Sequence, residues 1–357
     1  MRRLAWVILV GLIAVAAWLV FALYVPYQGF PWEGVYVDVP RGAPGRVIAR
    51  LLAEKGVVRS RLAFEALCRW RAGRTLQAGE YFFDRPVNAF EVYRAMAEGR
   101  VYELQVTVPE GFTMFDIAEL LAQQGLAGQQ AFLEAARDPA PIRDLAPGAR
   151  SLEGFLFPAT FKFPRHIAPQ EIVGVMVRRF RETWQTLPEA DATRNGLSAD
   201  AVVTLASLVE RETSLPEERP LIAAVFTNRL RRGLALQCDP TVIYALELAN
   251  QYTGSLSLSD LNFNSPYNTY RHTGLPPGPI ANPGEAALRA ALDPSHADYL
   301  YFVANGQGGH VFSKTLEEHN RNVARYRRLL AQNARGQNNG SKLGHTPEKK
   351  PHTKRSL

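Results

Sequence analysis

The chemistry in this chain is most legible at Val203-Thr204-Leu205-Ala206-Ser207-Leu208-Val209-Glu210-Arg211-Glu212-Thr213, which reads as a helix ending in two carboxylates. Leu205, Val209 and Glu212 are spaced four and three apart, so they share one helical stripe. Glu210 falls on the side shared with Val203. Apolar surroundings disfavour a charged carboxylate and raise its pKa, which is what a general acid working near neutral pH requires. The same letters also fit a solvated Glu-Arg-Glu patch at a helix end.

A second carboxyl, Asp239, precedes Pro240 and has two readings: an N-cap for a helix running through Val242 to Leu248, or a chemical group. Gln237, Tyr267, Asn268 and Tyr270 suit sugar recognition, because amides and phenols direct hydrogen bonds and rings cover the apolar faces of sugars. Each equally suits loop packing. Gly274-Leu275-Pro276-Pro277-Gly278-Pro279 is too rigid for a linker and reads as a fixed loop beside a cleft, or as pure architecture.

Other chemistries fit poorly. His272, His296, His310 and His319 lack the spacing of a helical metal motif, so no metal is expected. Gly306-Gln307-Gly308-Gly309 lacks the Lys-Ser/Thr of a phosphate loop and reads as a hairpin turn. Before the C-terminal tail the only lysines are Lys55, Lys162 and Lys314, none of them among residues 202–309, which argues against a Schiff-base cofactor. No cofactor is expected.

The elements that must carry this site lie on a chain of 357 residues, long enough for two or three domains. Its net charge of +7 suggests nucleic acid only until it is mapped. Arg2, Arg3 and the tail from Gln332 account for all of it, so the body between is formally neutral and no nucleic-acid partner is expected. Leu4 to about Tyr24 is an apolar run long enough to span a bilayer and too long for a signal-peptide core. Arg2 and Arg3 precede it and no Lys or Arg follows until Arg41, which places the N-terminus in the cytoplasm and the rest outside. Val25 to Gly34 reads as a linker and the tail from Gln332 as disordered. Cys68 and Cys238 read as two buried thiols, although one disulfide is conceivable.

Between these ends a repeat appears. Val37-Asp38-Val39-Pro40-Arg41-Gly42 recurs as Val106-Thr107-Val108-Pro109-Glu110-Gly111, and Ile48 to Gly56 recurs as Ile117 to Gly125, at one offset of 69 residues. Each copy predicts a short strand, a Pro-x-Gly turn and an amphipathic helix stopped by glycine. Arg61–Trp70 and Ala89–Glu98 read as further helices and Gly79–Phe83 as a strand. Residues 127–150, rich in Ala, Pro, Gly and Asp, read as a connecting segment. Ile172 to Leu187 reads as a helix presenting Ile172, Val175, Met176, Arg179, Phe180 and Thr183 on one face.

The segments Glu218-Arg219-Pro220, Asn228-Arg229-Leu230, Leu236 to Tyr244, Ser265 to Tyr270, Thr273 to Ile280, Tyr299 to Val303 and Gly308 to Phe312 follow in fixed order. In that order they resemble the membrane-anchored endolytic murein transglycosylases, the YceG-like family, strongly over about 150–330 and more loosely upstream. The resemblance implies an α+β fold: a transmembrane helix (1–25), a linker and small LysM-like α+β module with the repeat (26–126), a connecting segment (127–150), an α+β catalytic domain (151–331) and a basic tail (332–357). It implies endolytic cleavage of the MurNAc–GlcNAc bond of nascent peptidoglycan to 1,6-anhydro ends, with Glu212 as the single general acid/base. It also implies work beside the peptidoglycan synthesis machinery at the outer face of the cytoplasmic membrane. A non-catalytic, membrane-anchored peptidoglycan-binding protein and a water-using muramidase remain open.

Overall fold

The computed structural model describes residues 2–71, 75–187 and 197–342, with side chains as far as 332. It divides into two compact units: the chain up to Val106 together with Thr160–Ile167, and Thr107–Ala159 together with Ala168 onward.

The first unit begins with helix α1 (Arg2–Tyr24), long and apolar enough to cross a membrane. The chain that follows is not the slack linker its Pro and Gly content suggests. Tyr27 and Val87 exchange backbone hydrogen bonds of 2.9 and 3.2 Å, and the Gly29 N–H donates to the Gly56 carbonyl at 2.8 Å. Strand β1 (Val35–Val39), helices α2 (Gly45–Glu54) and α3 (Arg61–Trp70), strand β2 (Gly79–Phe83) and helix α4 (Ala89–Ala97) follow. The two strands pair antiparallel with Val37 opposite Tyr81. Val37, Val39, Tyr81 and Phe83 alternate onto one face and close over Ile48, Leu52, Phe64, Leu67, Val92 and Met96. Ser60 and Asn88 cap α3 and α4 by accepting from Ala63 N and Glu91 N. Strand β3 (Leu104–Thr107) pairs with β4 (Thr160–Phe163).

Both copies of the repeat have the same local structure. Helix α5 (Met114–Gln123) lies at the same offset from α2 as the sequence match. The turn glycines Gly42 and Gly111 have φ of 73° and 77°, and the helix-stopping Gly56 and Gly125 have 71° and 69°. These left-handed values are cheap only for glycine.

The units divide near Val106, not at the residue 126 suggested by the sequence, because α5 packs on α6 (Gln129–Ala136) and α6 on α7 (Pro169–Thr186). Residues 127–150 are therefore not a connector. Phe132 and Ala136, one helical turn apart, are fully buried, as are Ile142, which ends a short 3-10 turn, and Ala146 beyond it. Helix α7 buries Val173, Val177 and Trp184 beside Ile172, Met176, Phe180 and Thr183, while Arg179 is exposed. The unit continues with α8 (Ala199–Glu212), α9 (Arg219–Arg231), α10 (Asp239–Leu248), α11 (Glu285–Leu292), the antiparallel hairpin β5 (Tyr301–Ala304) and β6 (His310–Ser313), and α12 (Leu316–Lys342). The last helix runs past Gln332, where the sequence reading ended ordered structure, because extending an established helix costs far less than starting one. The tail beyond Lys342 lies outside the described residues.

Candidate active site

Helix α8 starts at Ser198, whose hydroxyl accepts from Ala201 N, and Val203, Leu205, Leu208 and Val209 have no exposed surface. Two contacts fix it in place. Ser207 Oγ accepts from Ile280 N at 3.0 Å, tying the Pro-rich 274–280 loop to the helix. Gly154, at φ 86°, lets the backbone approach closely: a Cβ there would lie 2.5 Å from Pro279 and 2.8 Å from Val203. The Pro-rich loop thus braces α8 and is not among the segments lining the cleft described next.

The last residue of α8, Glu212, forms part of the wall of a cleft of about 420 Å³. The same cleft is lined by Gln237, Asp239, Tyr270, Arg229, Tyr301 and His319. Desolvation by burial raises the Glu212 pKa to about 7, against a partly offsetting hydrogen bond from the Cys238 thiol; Asp239 pushes it further up and His310 pulls it down. Among the described residues no arginine or lysine pairs with it. A carboxyl near half-protonation at neutral pH can both give and take a proton.

Glu210, two residues earlier on the helix, is used differently. Its Oε1 accepts from Arg219 Nη2 at 3.0 Å and its Oε2 from Gly284 N at 3.0 Å, with both side chains nearly inaccessible. Beyond α8, Glu218 accepts from His310 N at 2.7 Å and lies 2.6 Å from His310 Nδ1, and the Thr213 hydroxyl donates to it at 3.1 Å. Burial would raise the Glu218 pKa, but these hydrogen bonds outweigh it and hold the pKa below the ordinary value. That carboxylate therefore ties the hairpin to the chain just after Glu212.

Asp239 is the first residue of α10, and Cys238 occupies the cap position with no side-chain cap bond, so the N-cap reading is incorrect. Asp239 instead turns to the cleft, where its Oδ1 accepts from Tyr270 Oη at 2.5 Å. Few first-turn donors are left to cap, because Pro240 has no N–H and Thr241 N donates to the Cys238 carbonyl at 3.1 Å. Gln237 sits at φ 53°, a left-handed conformation rare outside glycine, and its Oε1 accepts from Arg229 Nη2 at 2.6 Å. Two predicted sugar contacts are not brought to the cleft. Asn268 is fully buried and donates to the Leu261 and Phe263 carbonyls at 3.0 and 2.8 Å, bracing its own loop. Tyr267 packs on Tyr244, with ring centroids 5.1 Å apart.

Several site residues were not singled out by sequence. Arg229 also donates to the Ala235 and Leu300 carbonyls, at 2.9 and 3.0 Å, tying the segment before Gln237 to the residue before β5. His319 stacks on Tyr301 at 5.1 Å, and its buried Nδ1 has no partner among the described residues. Asn228-Arg229 stood in the ordered motifs, but nothing local indicated that Arg229 reaches 71 residues ahead. His310 and His319 have separate roles, at Glu218 and at Tyr301. Both cysteines are free.

Fold and site together define an α+β protein with an N-terminal apolar helix and a buried carboxyl of raised pKa set in a polar, ring-lined cleft. The chain belongs to the YceG-like family, whose family model matches residues 37–325. An endolytic murein transglycosylase of Bacillus subtilis (strain 168) is 33% identical over 308 residues, covering 82% of this chain and 84% of that protein. An endolytic murein transglycosylase of Streptococcus pneumoniae (serotype 2, strain D39) is 31% identical over 326 residues, covering 82% of this chain and 58% of the longer relative. The crystal structure of a YceG-like protein from Listeria monocytogenes superimposes with a TM-score of 0.55 at 33% identity, covering 81% of this chain and 99% of that one.

Proposed function

We propose that this chain is a lytic transglycosylase that cuts peptidoglycan strands internally at the MurNAc–GlcNAc bond, with Glu212 as its single acid and base. The observation that carries this reading is the Glu212 carboxyl, its pKa raised to about 7 by burial and with no cation paired to it among the described residues, opening on a cleft of amide and phenol groups. Glu212 gives its proton to the glycosidic oxygen as the bond to the anomeric carbon breaks. The carboxylate then takes the proton of the muramic acid C6 hydroxyl as that oxygen bonds to the same carbon. No water is consumed. The nucleophile belongs to the sugar under attack, so tethering supplies what a second carboxylate does in a hydrolase.

A water-using muramidase is the second reading, because Asp239 places another carboxyl in the same cleft. Its bond to Tyr270 argues for a binding role instead. Mass spectrometry of products from purified peptidoglycan decides: 1,6-anhydro ends support transglycosylation, reducing ends the muramidase, and uncut strands a binding protein. In the same reading α1 is a single-pass anchor that places the catalytic unit outside the cytoplasmic membrane, beside the peptidoglycan synthesis machinery. The strand–helix–helix–strand order of the first unit matches a LysM-like module that either holds glycan or acts as a spacer.

A further inference from the structure

The surface of α3 carries an open face that the glycan chemistry does not use. Arg61, Leu62, Ala66, Arg69 and Trp70 are all exposed, Leu62 by 68% and Trp70 by 71%. These positions fall one and two turns apart, on one side of the helix. Its acid, Glu65, is on the buried side and lies 3.8 Å from Arg69.

This face lies at the end of α1. The Trp70 ring meets Phe90 edge-on at 6.5 Å, and Phe90 packs on Tyr24, the last residue of α1, at 4.6 Å. At the other end of α3, the Arg59 guanidinium lies 4.5 Å from the centre of the Phe21 ring and 4.7 Å from that of Tyr27. Both ends of α3 therefore flank the last turn of α1. The junction is fastened by the Tyr27–Val87 and Gly29–Gly56 backbone bonds, so α3 cannot swing away on a slack tether. The nearest acid on α4, Glu91, is exposed and held by Asn88.

We infer that α3 lies on the bilayer that α1 enters, with Leu62 and Trp70 among the upper acyl chains and Arg59, Arg61, Arg69 and Arg71 on acidic phospholipid headgroups. Tryptophan and tyrosine favour this depth, arginines keep their charge in the headgroups while their stems stay apolar, and such a helix binds in the plane of the interface. Arg71 lies 4.9 Å over the Trp70 ring, pairing an aromatic anchor with a cation. The first unit is thus a foot resting on the lipid, not a stalk above it. The inference rests on the reading of α1 as a membrane anchor.

The test uses the full chain in vesicles of phosphatidylcholine and phosphatidylglycerol. An environment-sensitive dye is attached at Leu62→Cys, with Ala66→Cys as a second site, in a Cys68→Ser, Cys238→Ala background. The expected result is quenching by lipids spin-labelled near the headgroup and several-fold protection from aqueous iodide, both reduced by Arg61→Glu with Arg69→Glu. Quenching by iodide equal to that of free dye overturns the inference. So does protection from iodide without quenching by lipid, which would mean that a second copy or another protein covers the face. A dye at Val10→Cys checks the anchor separately: quenched by deep labels while position 62 stays wet, it leaves the anchor standing and removes only the foot.

Discussion

Two glutamates separated by one residue have opposite surroundings. Glu210 is locked to Arg219 and Gly284 N, whereas Glu212 faces the cleft with a raised pKa. Replacing Glu212 with Gln keeps its shape and removes its transferable proton. The variant should stay folded and lose about a hundred- to ten-thousand-fold in release of 1,6-anhydro ends, measured by mass spectrometry. The first step needs the protonated acid, so wild-type turnover limited by that step should fall as pH rises through about 7, and a pH–rate profile on purified peptidoglycan checks this. Glu210→Ala should act on stability instead. It strands a buried Arg219, at a cost of about 3–5 kcal/mol in chemical denaturation, although Glu110 at 3.5 Å leaves that arginine a partial partner. The placement of Glu212 on the cleft wall was legible because three residues of one stripe suffice to orient it. The partner of Gly284 was not, since it lies 74 residues from Glu210. Asn268 and Tyr270, separated by Thr269, show the same limit: both look like sugar contacts, and only the loop's own carbonyl demand decides that Asn268 turns inward.

At the scale of elements, Glu153 clamps three segments together. It accepts from Met114 N at the start of α5 at 3.0 and 3.1 Å, from Tyr244 Oη on α10 at 3.1 Å, and from Asn282 Nδ2 just before α11 at 2.8 Å. Desolvation by burial nonetheless raises its pKa to about 8, against lowering by those hydrogen bonds from Met114 and Tyr244. The native state therefore keeps a proton that the unfolded chain releases near the ordinary value of 4.5. The contribution to stability is complete below that value and is lost as pH rises toward 8, by on the order of a few kcal/mol. Denaturant titrations from pH 5 to 8 should show this slope, and Glu153→Gln should flatten it; an unchanged slope would assign it to other groups. The sequence announced α3, β2 and α8 through periodicity and caps, but it concealed α6. Alanine, proline and glycine around Phe132 read as a connector, and only burial against α7 makes that short stretch a helix.

At the scale of the whole molecule, the charge sits at the two ends of the chain and the chemistry between them. The two-unit division was not legible, because the second repeat copy has its strand in one unit and its helix in the other, a choice made by packing partners and not by local pattern. The long apolar helix α1 was legible, since the capacity to span a bilayer is a matter of length and composition alone. The proposed orientation rests on Arg2 and Arg3 on one side of α1 and the lack of any basic residue from Leu4 to Pro40 on the other. Moving two arginines outward through the bilayer is costly, whereas the following segment carries no basic charge to hold it inside. Alkaline phosphatase joined after Gly34 should therefore be active in intact cells, and a fluorescent protein that matures only in the cytoplasm should stay dark at the same junction. Placing Lys residues at Gln28 and Gly29 while replacing Arg2 and Arg3 with Asn should shift the population toward the opposite orientation, because the bias rests on so few charges. If the original fusion matured in the cytoplasm, the enzyme would have no access to peptidoglycan, and the reading of Glu212 as a wall-cutting acid would fail with it.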